Sequence, residues 1–162
     1  MQTGHFENWL WHAEPVTGPA VVFDMDGVLS DAAGRQHYID VPFPDWERFF
    51  EACGEDDLIA EVARLLDVIS SDHTVVLLTA RPMRVRPQTL AWLERYGLRW
   101  DLLMMREYGD YMAARSFKRR SAQELREHGF DLRLAFEDDP RNVAMFHAEG
   151  VPCVYIHSGY YE

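Results

Sequence analysis

The chain has 162 residues, of which 48% are hydrophobic, and this is enough apolar material for one globular domain with its own core. Its formal net charge of -11 argues against broad, nonspecific binding of duplex nucleic acid, which requires many phosphate-neutralising lysines and arginines. The two cysteines, Cys53 and Cys153, lie far apart and indicate neither a disulfide framework nor a zinc site, so a reducing, cytoplasmic setting is expected. No stretch approaches the roughly 18 apolar residues of a membrane span, and no feature of the sequence points to a protein partner.

Short apolar runs alternate with helical periodicity from Ala20 onward, which is typical of a parallel sheet with crossover helices. The sequence therefore predicts an α/β fold in one domain over residues 1–162. The predicted strands, in chain order, are 20–23, 74–78, 101–104, 132–136 and 153–156. The predicted helices are a short one from Asp45 and longer ones over about 56–70, 86–96, 116–128 and 139–150. Residues 1–19 form an N-terminal extension that no pattern assigns to an element, and its tryptophans are expected to pack on the core.

Acidic residues follow two of the predicted strands. Asp24 and Asp26 come directly after the first strand, and Asp138 and Asp139 come directly after the fourth. Ligands of an open parallel sheet bind outside the carboxyl ends of its strands, so these side chains are expected to converge. Gly27 lets the backbone turn sharply behind the first pair. Converging carboxylates repel one another unless a cation lies between them, and Mg²⁺ prefers such oxygen ligands.

These residue types suit phosphoryl transfer. Asp24 is an ionised nucleophile that can attack phosphorus and form an acyl phosphate, which water then cleaves. Asp26 can protonate the leaving oxygen and later deprotonate that water. Thr79, after the second predicted strand, can donate a hydrogen bond to a phosphoryl oxygen, and Lys118 can neutralise charge on the transferring group.

Each of these signals is weak by itself. A D-x-D sequence is common in turns, "TAR" and "EDD" are ordinary compositions at helix starts, and an isolated lysine is usually a surface residue. The ordered set, with each member at the end or start of a predicted element, is much harder to obtain by chance.

Four segments resemble, in order, the four motifs of the haloacid dehalogenase (HAD) superfamily of phosphohydrolases. They are FDMDGVLSD, VVLLTAR, RSFKRRSAQEL and FEDDPRN. The resemblance covers about residues 20–160 and implies a three-layer, Rossmann-like HAD fold with a central parallel sheet. It also implies a hydrolase that acts on phosphoric monoesters. The dehalogenases proper usually lack an acid at the second position of the first motif, so Asp26 favours phosphate over halide chemistry.

The resemblance assigns roles to individual residues. Asp24 is the implied nucleophile and Asp26 the general acid and base, with Thr79 in the second motif and Lys118 in the third. The implied substrate contacts are Gly27, Ala80 and Arg81. The implied Mg²⁺ ligands are Asp24, Asp26, Asp138 and Asp139.

Within the superfamily, the chain resembles the 3′-phosphatase domain of bacteriophage-type polynucleotide kinase. A Gly-Asp pair is followed, after seven residues, by Lys118 in GDYMAARSFK, and the ending EDDPRNVAMFHAEGVPCVYIHSGYY is also similar. Pro140 stands where that family often has an arginine. The sequence contains no kinase P-loop of the G-x-x-x-x-G-K-[ST] type, so it predicts a stand-alone phosphatase module.

The segment between the first two motifs is too short for a large cap domain. Residues 28–44 are predicted to form a flap, which leaves the site open to a chain end. Basic residues cluster in RPMRVR and RSFKRR, near Thr79 and Lys118. Aromatic residues in or near the flap and before Lys118 can stack on a base or pack as core or rim: Tyr38, Phe43, Trp46, Tyr108 and Tyr111.

Three functions remain open at this stage. The first is a Mg²⁺-dependent phosphomonoesterase acting on a nucleic-acid 3′-end or a nucleotide, and the second is a small-metabolite phosphatase on the same fold. The third is a receiver-like, phospho-accepting signalling domain. The chain order disfavours the third, because a receiver carries its acid pair and its acceptor aspartate on different strands.

Overall fold

A computed structural model describes residues 2–3 and 6–161 of the chain. The described part contains nine strands. They are β1 (Gln2–Thr3), β2 (Trp9–Trp11), β3 (Gly18–Phe23), β4 (Ser30–Asp31), β5 (Asp57–Leu58), β6 (Thr74–Pro82), β7 (Leu102–Arg106), β8 (Phe130–Glu137) and β9 (Cys153–Tyr155). The five predicted strands correspond to β3, β6, β7, β8 and β9. Strand β6 extends four residues beyond its predicted end, because a register irregularity after Leu78 lets Pro82 rejoin the ladder with β7.

Five α-helices occur among the described residues. They are α1 (Trp46–Glu51), α2 (Ala60–Val68), α3 (Arg86–Arg95), α4 (Ala114–Glu127) and α5 (Pro140–Ala148). Two N-caps are made by aspartates: the Asp45 side chain accepts a hydrogen bond from Arg48 N, and the Asp139 side chain accepts one from Arg141 N. None of these helices is long and apolar enough to cross a membrane.

Helix α2 starts later than its periodicity predicts. The apolar pattern begins at Leu58, yet Asp57 and Leu58 pair with β4 as a short antiparallel strand. The preceding carboxylate, Asp56, is bound by Arg35 and Ser30. These tertiary contacts hold the segment extended, so the helix begins only at Ala60.

The main sheet has seven strands in the order β1-β2-β7-β6-β3-β8-β9. Strands β3, β6, β7, β8 and β9 are parallel, whereas β2 pairs antiparallel with β7 at one edge. From β3 the chain proceeds outward through β6 to β7 and then returns to place β8 on the other side of β3. This reversal makes β3 and β8 the switch point of the sheet, where open α/β folds bind ligands.

The parallel strands are buried on both faces, so their residues alternate between two cores. On β3, Val21 and Phe23 belong to one hydrophobic cluster and Ala20 and Val22 to the other. The first cluster includes apolar residues of α2 and α3, and the second includes residues of α4 and α5. The protein is therefore a three-layer α/β fold with a mostly parallel central sheet, as the sequence predicts.

The N-terminal segment extends the sheet instead of forming a separate layer. Trp9 and Trp11 are 2% and 4% exposed and pack in the same cluster as Phe130 and Phe117. The Trp11 ring stacks on Phe130 with centroids 5.9 Å apart. The expectation that these tryptophans pack on the core agrees with this arrangement, whereas their placement in a strand was not predicted.

Candidate active site

Asp24 lies directly beyond the carboxyl end of β3, at the switch point. Its backbone N–H donates to the carbonyl of Phe136 on β8 at 3.1 Å, and its Oδ1 accepts a hydrogen bond from Met25 N at 2.8 Å. The residue is 8% exposed, yet it lines the main cavity of the described surface. The fold thus presents the buried carboxylate of Asp24 to this cavity.

Asp24 is part of a carboxylate cluster. Ligand atoms of Asp24, Glu137 and Asp138 all lie within 4.8 Å of one another, and all three residues are buried. Burial raises the pKa of Asp138, and the charge of Asp24 raises it further. The same two causes raise the pKa of Glu137. The three groups therefore repel one another when all are ionised.

The cluster fits a hard divalent cation. Both side-chain oxygens of Asp138 are buried, and neither makes a hydrogen bond of good geometry within the described part of the chain. The Ser158 side chain lies close enough to oppose part of the rise in the pKa of Asp138. A buried carboxylate without partners costs several kcal/mol unless a charge compensates it. Mg²⁺ prefers carboxylate oxygens and water, so the donor set of Asp24, Glu137 and Asp138 matches its requirements.

Gly27 provides the space that Asp138 occupies. Its φ is +80°, and a Cβ at this position would lie 2.1 Å from Asp138 Oδ2. No side chain can be accommodated there unless Asp138 moves. The glycine predicted to contact substrate therefore acts in this structure as a spacer beside the cluster.

Lys118 approaches the cluster from α4. Its Nζ lies 2.9 Å from Asp24 Oδ1 and also contacts Glu137 Oε1, and the residue is 2% exposed. Burial alone would lower the pKa of Lys118, but the charges of Asp24 and Glu137 raise it above its usual value. The lysine is thus a buried positive charge beside Asp24. The role that the sequence predicts for it, stabilising a transferring phosphoryl group, stays a prediction.

Asp26 is held by two buried arginines. Arg35 Nη2 and Arg81 Nη2 each donate to Asp26 Oδ1 at 2.6 Å, and Arg81 Nε donates to the same oxygen at 3.0 Å. Burial alone would raise the pKa of Asp26, but the charges and hydrogen bonds of Arg81 and Arg35 lower it to about 2. Asp26 also lines the cavity, so an ionised carboxylate stands beside the nucleophile.

A buried polar network supports these arginines. Arg35 donates to both oxygens of Asp56, at 2.8 Å from Nε and 2.7 Å from Nη2. Ser30 donates to Asp56 Oδ2 at 2.6 Å and accepts from Arg81 Nη2 at 3.0 Å. The segment after β3 therefore does more than cover the site, because its Arg35 binds the carboxylate of Asp26.

The second motif contributes to the site in two ways. Thr79 and Ala80 line the cavity, and Thr79 Oγ1 accepts a hydrogen bond from Arg81 N at 3.1 Å. Arg81 itself is 0% exposed and is not among the lining residues. The sequence predicts that Arg81 touches substrate, whereas the structure holds its side chain against Asp26.

The predicted metal ligands divide into two groups. The structure brings the side chains of Asp24 and Asp138 together, and it holds those of Asp26 and Asp139 against arginines. Asp139 Oδ2 accepts from Arg141 Nη2 at 2.9 Å in addition to capping α5. The third carboxylate of the cluster, Glu137, was not predicted.

Two side chains of the candidate site, Glu137 and Arg35, were thus not predicted from the sequence. Glu137 ends β8 directly before the predicted acids, so its position in "FEDD" was an available signal. The sequence around Arg35 gives no such signal, because an isolated arginine in a short flap is normally predicted to lie on the surface. Only the folded structure shows that this arginine is buried. It is 2% exposed here.

The cavity above these residues measures about 670 Å³, within the range of small-ligand sites. Its walls carry three arginines (Arg84, Arg106, Arg141), the flap-side residues Gln36, Ile39, Asp40 and Trp46, and the aromatic residues Tyr108, Tyr111, Tyr160 and Tyr161. The walls are aromatic and of mixed charge, because four acids, Asp40, Glu107, Asp110 and Asp139, line them together with the three arginines.

Fold and site together define a hydrolase of the HAD type that acts on phosphate esters. The family model of the polynucleotide kinase PNKP phosphatase domain matches residues 18–161, and the chain belongs to this family. A comparison with curated protein sequences finds no match.

Solved structures support the same fold. A chain in the structure of the Pnkp1/Rnl/Hen1 complex is 26% identical and superposes with a TM-score of 0.74, over 90% of this chain and 48% of that one. The class C acid phosphatase from Bacillus anthracis, with tungstate bound, is 15% identical with a TM-score of 0.65, over 91% and 69%. The HAD domain of effector protein Lem4 from Legionella pneumophila is 16% identical with a TM-score of 0.53, over 90% of each chain. The present chain spans about half the length of the Pnkp1-complex chains that it matches.

Proposed function

We propose that the protein is a Mg²⁺-dependent phosphomonoesterase that forms a phosphoenzyme on Asp24 and acts on a polynucleotide 3′-phosphate or a nucleotide. One observation carries the proposal: a buried carboxylate at the switch point is paired with a buried lysine, beside two further acids and at the floor of an open cavity. A merely structural ion pair does not require two buried Asp138 oxygens that lack a hydrogen bond of good geometry.

In the first step, Asp24 attacks the phosphorus, and the bond from phosphorus to the ester oxygen breaks. Lys118 and Thr79 stabilise charge on the phosphoryl oxygens. The leaving oxygen takes a proton from Asp26. Because the pKa of Asp26 is about 2 in the ligand-free site, its proton must arrive with the substrate. A monoanionic phosphate ester brings such a proton, and its negative charge raises the pKa of Asp26.

In the second step, a water molecule attacks the phosphorus of the acyl phosphate. Asp26, now ionised again beside Arg35 and Arg81, accepts the proton of the water, and the bond between phosphorus and the Asp24 oxygen breaks. The arginine pair favours this basic form of Asp26. Asp26 passes its proton to the departing phosphate or to solvent, inorganic phosphate leaves, and Asp24 and Asp26 return to their ionised forms.

Asp24, Glu137 and Asp138 are the residues that would hold Mg²⁺. When bound, the cation neutralises their mutual repulsion and the charge of the entering phosphate. The buried oxygens of Asp138, which lack a hydrogen bond of good geometry, support this assignment.

The cavity supports a substrate larger than phosphate. On its walls Arg84 is paired with Glu51 and Arg141 with Asp139, whereas Arg106 donates to the backbone carbonyls of Ala80 and Met112. Arg106 is therefore the wall cation best placed to bind a second phosphate group. Membership of the PNKP phosphatase-domain family favours a nucleic-acid 3′-end. The two free cysteines, one of them buried, fit a reducing, cytoplasmic setting.

A substrate panel tests the proposal. Phosphate release is measured with Mg²⁺ and with EDTA on 3′-phosphorylated oligonucleotides, nucleoside 3′-monophosphates, sugar phosphates and an aryl phosphate. We expect release from the nucleic-acid substrates that EDTA and Asp24→Asn both abolish. Acid quenching followed by borohydride reduction should convert Asp24 to homoserine, which mass spectrometry detects. A clear preference for sugar phosphates would favour the small-metabolite alternative, and activity in Asp24→Asn would exclude the phosphoenzyme.

A further inference from the structure

Exposed aromatic rings border the cavity. Tyr108 and Tyr111 are 86% and 91% exposed and Trp46 is 52% exposed, and all three line the cavity whose floor holds Asp24 and Lys118. A large aromatic ring that stays exposed to water does not gain the favourable free energy that burial of its apolar surface would provide. An occupant of the cavity that covers these rings would recover it.

The segments that carry the rings are held in place. Asp110 accepts hydrogen bonds from Arg120 Nη2 at 2.7 Å and from Met112 N at 3.1 Å, and Arg106 donates to the carbonyl of Met112. These contacts fix the turn between β7 and α4 that carries Tyr108 and Tyr111. A fixed turn presents its rings with a smaller loss of entropy on binding.

Trp46 is fixed in a different way. Its ring stacks on Phe50 with centroids 6.0 Å apart at 27°, and it meets Phe49 edge-on at 5.6 Å. The tryptophan is thus supported from one side by helix α1, while half of its surface faces solvent. Such a supported, half-exposed ring is a stacking platform.

The chemistry of the cavity selects the kind of occupant. The rings and the proposed phosphoryl site line one cavity of about 670 Å³, so a single ligand can reach both. A nucleotide unit combines a phosphate with a flat, apolar face. A sugar phosphate lacks such a face, and the terminal base of a duplex offers only its outer face.

The structure also separates the candidate aromatics from one another. Phe43 is 91% exposed, as Tyr111 is, yet neither Phe43 nor Tyr38 is among the residues that line the cavity. Exposure of the ring alone therefore does not identify the aromatic residues that a ligand in the cavity could contact. Tyr108, Tyr111 and Trp46 share both properties, and Phe43 is a matched control.

We propose that Tyr108, Tyr111 and Trp46 form a nucleobase-binding subsite, in which an accessible base of the substrate stacks while its phosphate lies at Asp24. This inference rests on the proposed phosphatase function of the same cavity. It narrows the substrate class to 3′-phosphorylated ends whose terminal base is accessible for stacking and to free nucleotides.

The test compares two substrates that differ only in the terminal base. One is a single-stranded oligonucleotide with a 3′-terminal nucleoside phosphate, and the other carries an abasic 3′-terminal residue with the same phosphate. We expect wild-type enzyme to prefer the first through a lower KM, and Tyr108→Ala/Tyr111→Ala to reduce the ratio of the two kcat/KM values about five- to hundredfold. The double variant Tyr108→Phe/Tyr111→Phe should keep the ratio, because the ring and not the hydroxyl stacks.

Phe43→Ala is the control and should leave the ratio and both kcat/KM values as in the wild type. Equal hydrolysis of the two substrates by wild-type enzyme, or an equal loss on both in the alanine variant, would overturn the subsite while leaving the phosphatase function intact. An unchanged ratio in the alanine variant would do the same. If wild-type enzyme releases no phosphate from either substrate or from the aryl phosphate, the proposed function itself fails.

Discussion

Gly27 and Asp138 lie so close together that residue 27 has no room for a side chain: a Cβ there would stand 2.1 Å from Asp138 Oδ2. The glycine follows the acid pair after β3, and the aspartate follows β8, more than a hundred residues later in the sequence. The contact therefore links the two halves of the sheet at the carboxylate cluster.

Replacing this glycine should displace the aspartate. In Gly27→Ala we expect a loss of Mg²⁺-dependent activity of at least tenfold and weaker Mg²⁺ binding, measured by calorimetry. The control is Gly150→Ala, since Gly150 has a similar φ of +76° and its nearest neighbour to an added Cβ lies at 3.8 Å. Both variants carry a backbone penalty of about 1 kcal/mol, but only the first should lose activity. Equal effects in both would mean that backbone strain, and not the contact with Asp138, is responsible.

The carboxylate cluster should make thermal stability sensitive to Mg²⁺. Burial and the charge of Asp24 make an ionised Asp138 unfavourable, and the folded protein must protonate it instead. Asp138→Asn avoids this cost, so without metal it is expected to raise the melting temperature by about 2–4 °C for each kcal/mol gained. Added Mg²⁺ should raise the melting temperature of wild type and have little effect on the variant. Differential scanning fluorimetry with and without EDTA measures both. A Mg²⁺ shift that persists in the variant would place the cation elsewhere.

The acid role of Asp26 predicts a dependence on the leaving group. In Asp26→Asn we expect kcat on an alkyl 3′-phosphate to fall about 10²- to 10⁴-fold. The fall should be much smaller for p-nitrophenyl phosphate, because its phenolate leaves without a proton. Equal losses on both substrates would assign Asp26 a positioning role only.

The proton source predicts a pH profile for the wild-type enzyme. Phosphate monoesters lose their second proton near pH 6, and the monoanion is the species that brings the proton for Asp26. With alkyl substrates kcat/KM should therefore decline above about pH 6 to 7. A rate that rises continuously to pH 9 would contradict this source of the proton.

The arginine network should be important for folding stability. Arg35→Met leaves Asp26 and Asp56 short of a partner in a buried site, and we expect the free energy of unfolding to fall by about 3–5 kcal/mol. Arg48→Ala is the control, because Arg48 and Asp45 form an exposed pair at 3.6 Å that contributes about 0–1 kcal/mol. Urea denaturation followed by tryptophan fluorescence measures both. Equal small losses would contradict a structural role for Arg35.

The same network predicts how stability responds to acid. The pKa of Asp26 is lowered in the folded state from 3.8 to about 2, so its contribution is present above pH 4 and is lost as the pH falls towards 2. We expect this loss to amount to about 2 kcal/mol in wild type and to be smaller in Arg35→Met. Stability curves at pH 5 and pH 2 test the difference. Identical acid sensitivity would mean that Arg35 does not set this pKa.

Sequence reasoning found the parts of the fold that local pattern determines. The five parallel strands are short apolar runs bounded by helical periodicity, and Asp45 and Asp139 are caps that depend on their own neighbours only. Sequence reasoning did not predict β1 or β2. In β2, all three residues of Trp9–Trp11 are buried, so the sequence lacks the apolar and polar alternation of a strand with one exposed face. Only the partner strand β7 identifies it.

The same distinction applies to the site. Asp24, Asp138, Thr79 and Lys118 follow from motif order and strand ends. Asp24, Thr79 and Lys118 line one cavity, and Asp138 lies in the carboxylate cluster with Asp24. Arg35 could not be predicted, because its importance comes from three acceptors that the fold brings together: Asp26, Asp56 and the carbonyl of Phe49. Networks of distant residues leave little trace in a local pattern.

The carboxylate cluster lies where the strand order of the sheet reverses, and this position affects when the cluster can form during synthesis and folding. Asp24 is synthesised early, directly after β3. Glu137 and Asp138 lie at the end of β8, which is synthesised after β6 and β7 and then pairs with β3. A nascent chain or fragment that ends before β8 carries Asp24 without its neighbouring acids. The proposed phosphatase site is therefore complete only after β8 has joined the sheet. Recovery of Mg²⁺ binding during refolding would measure how fast β8 packs beside β3.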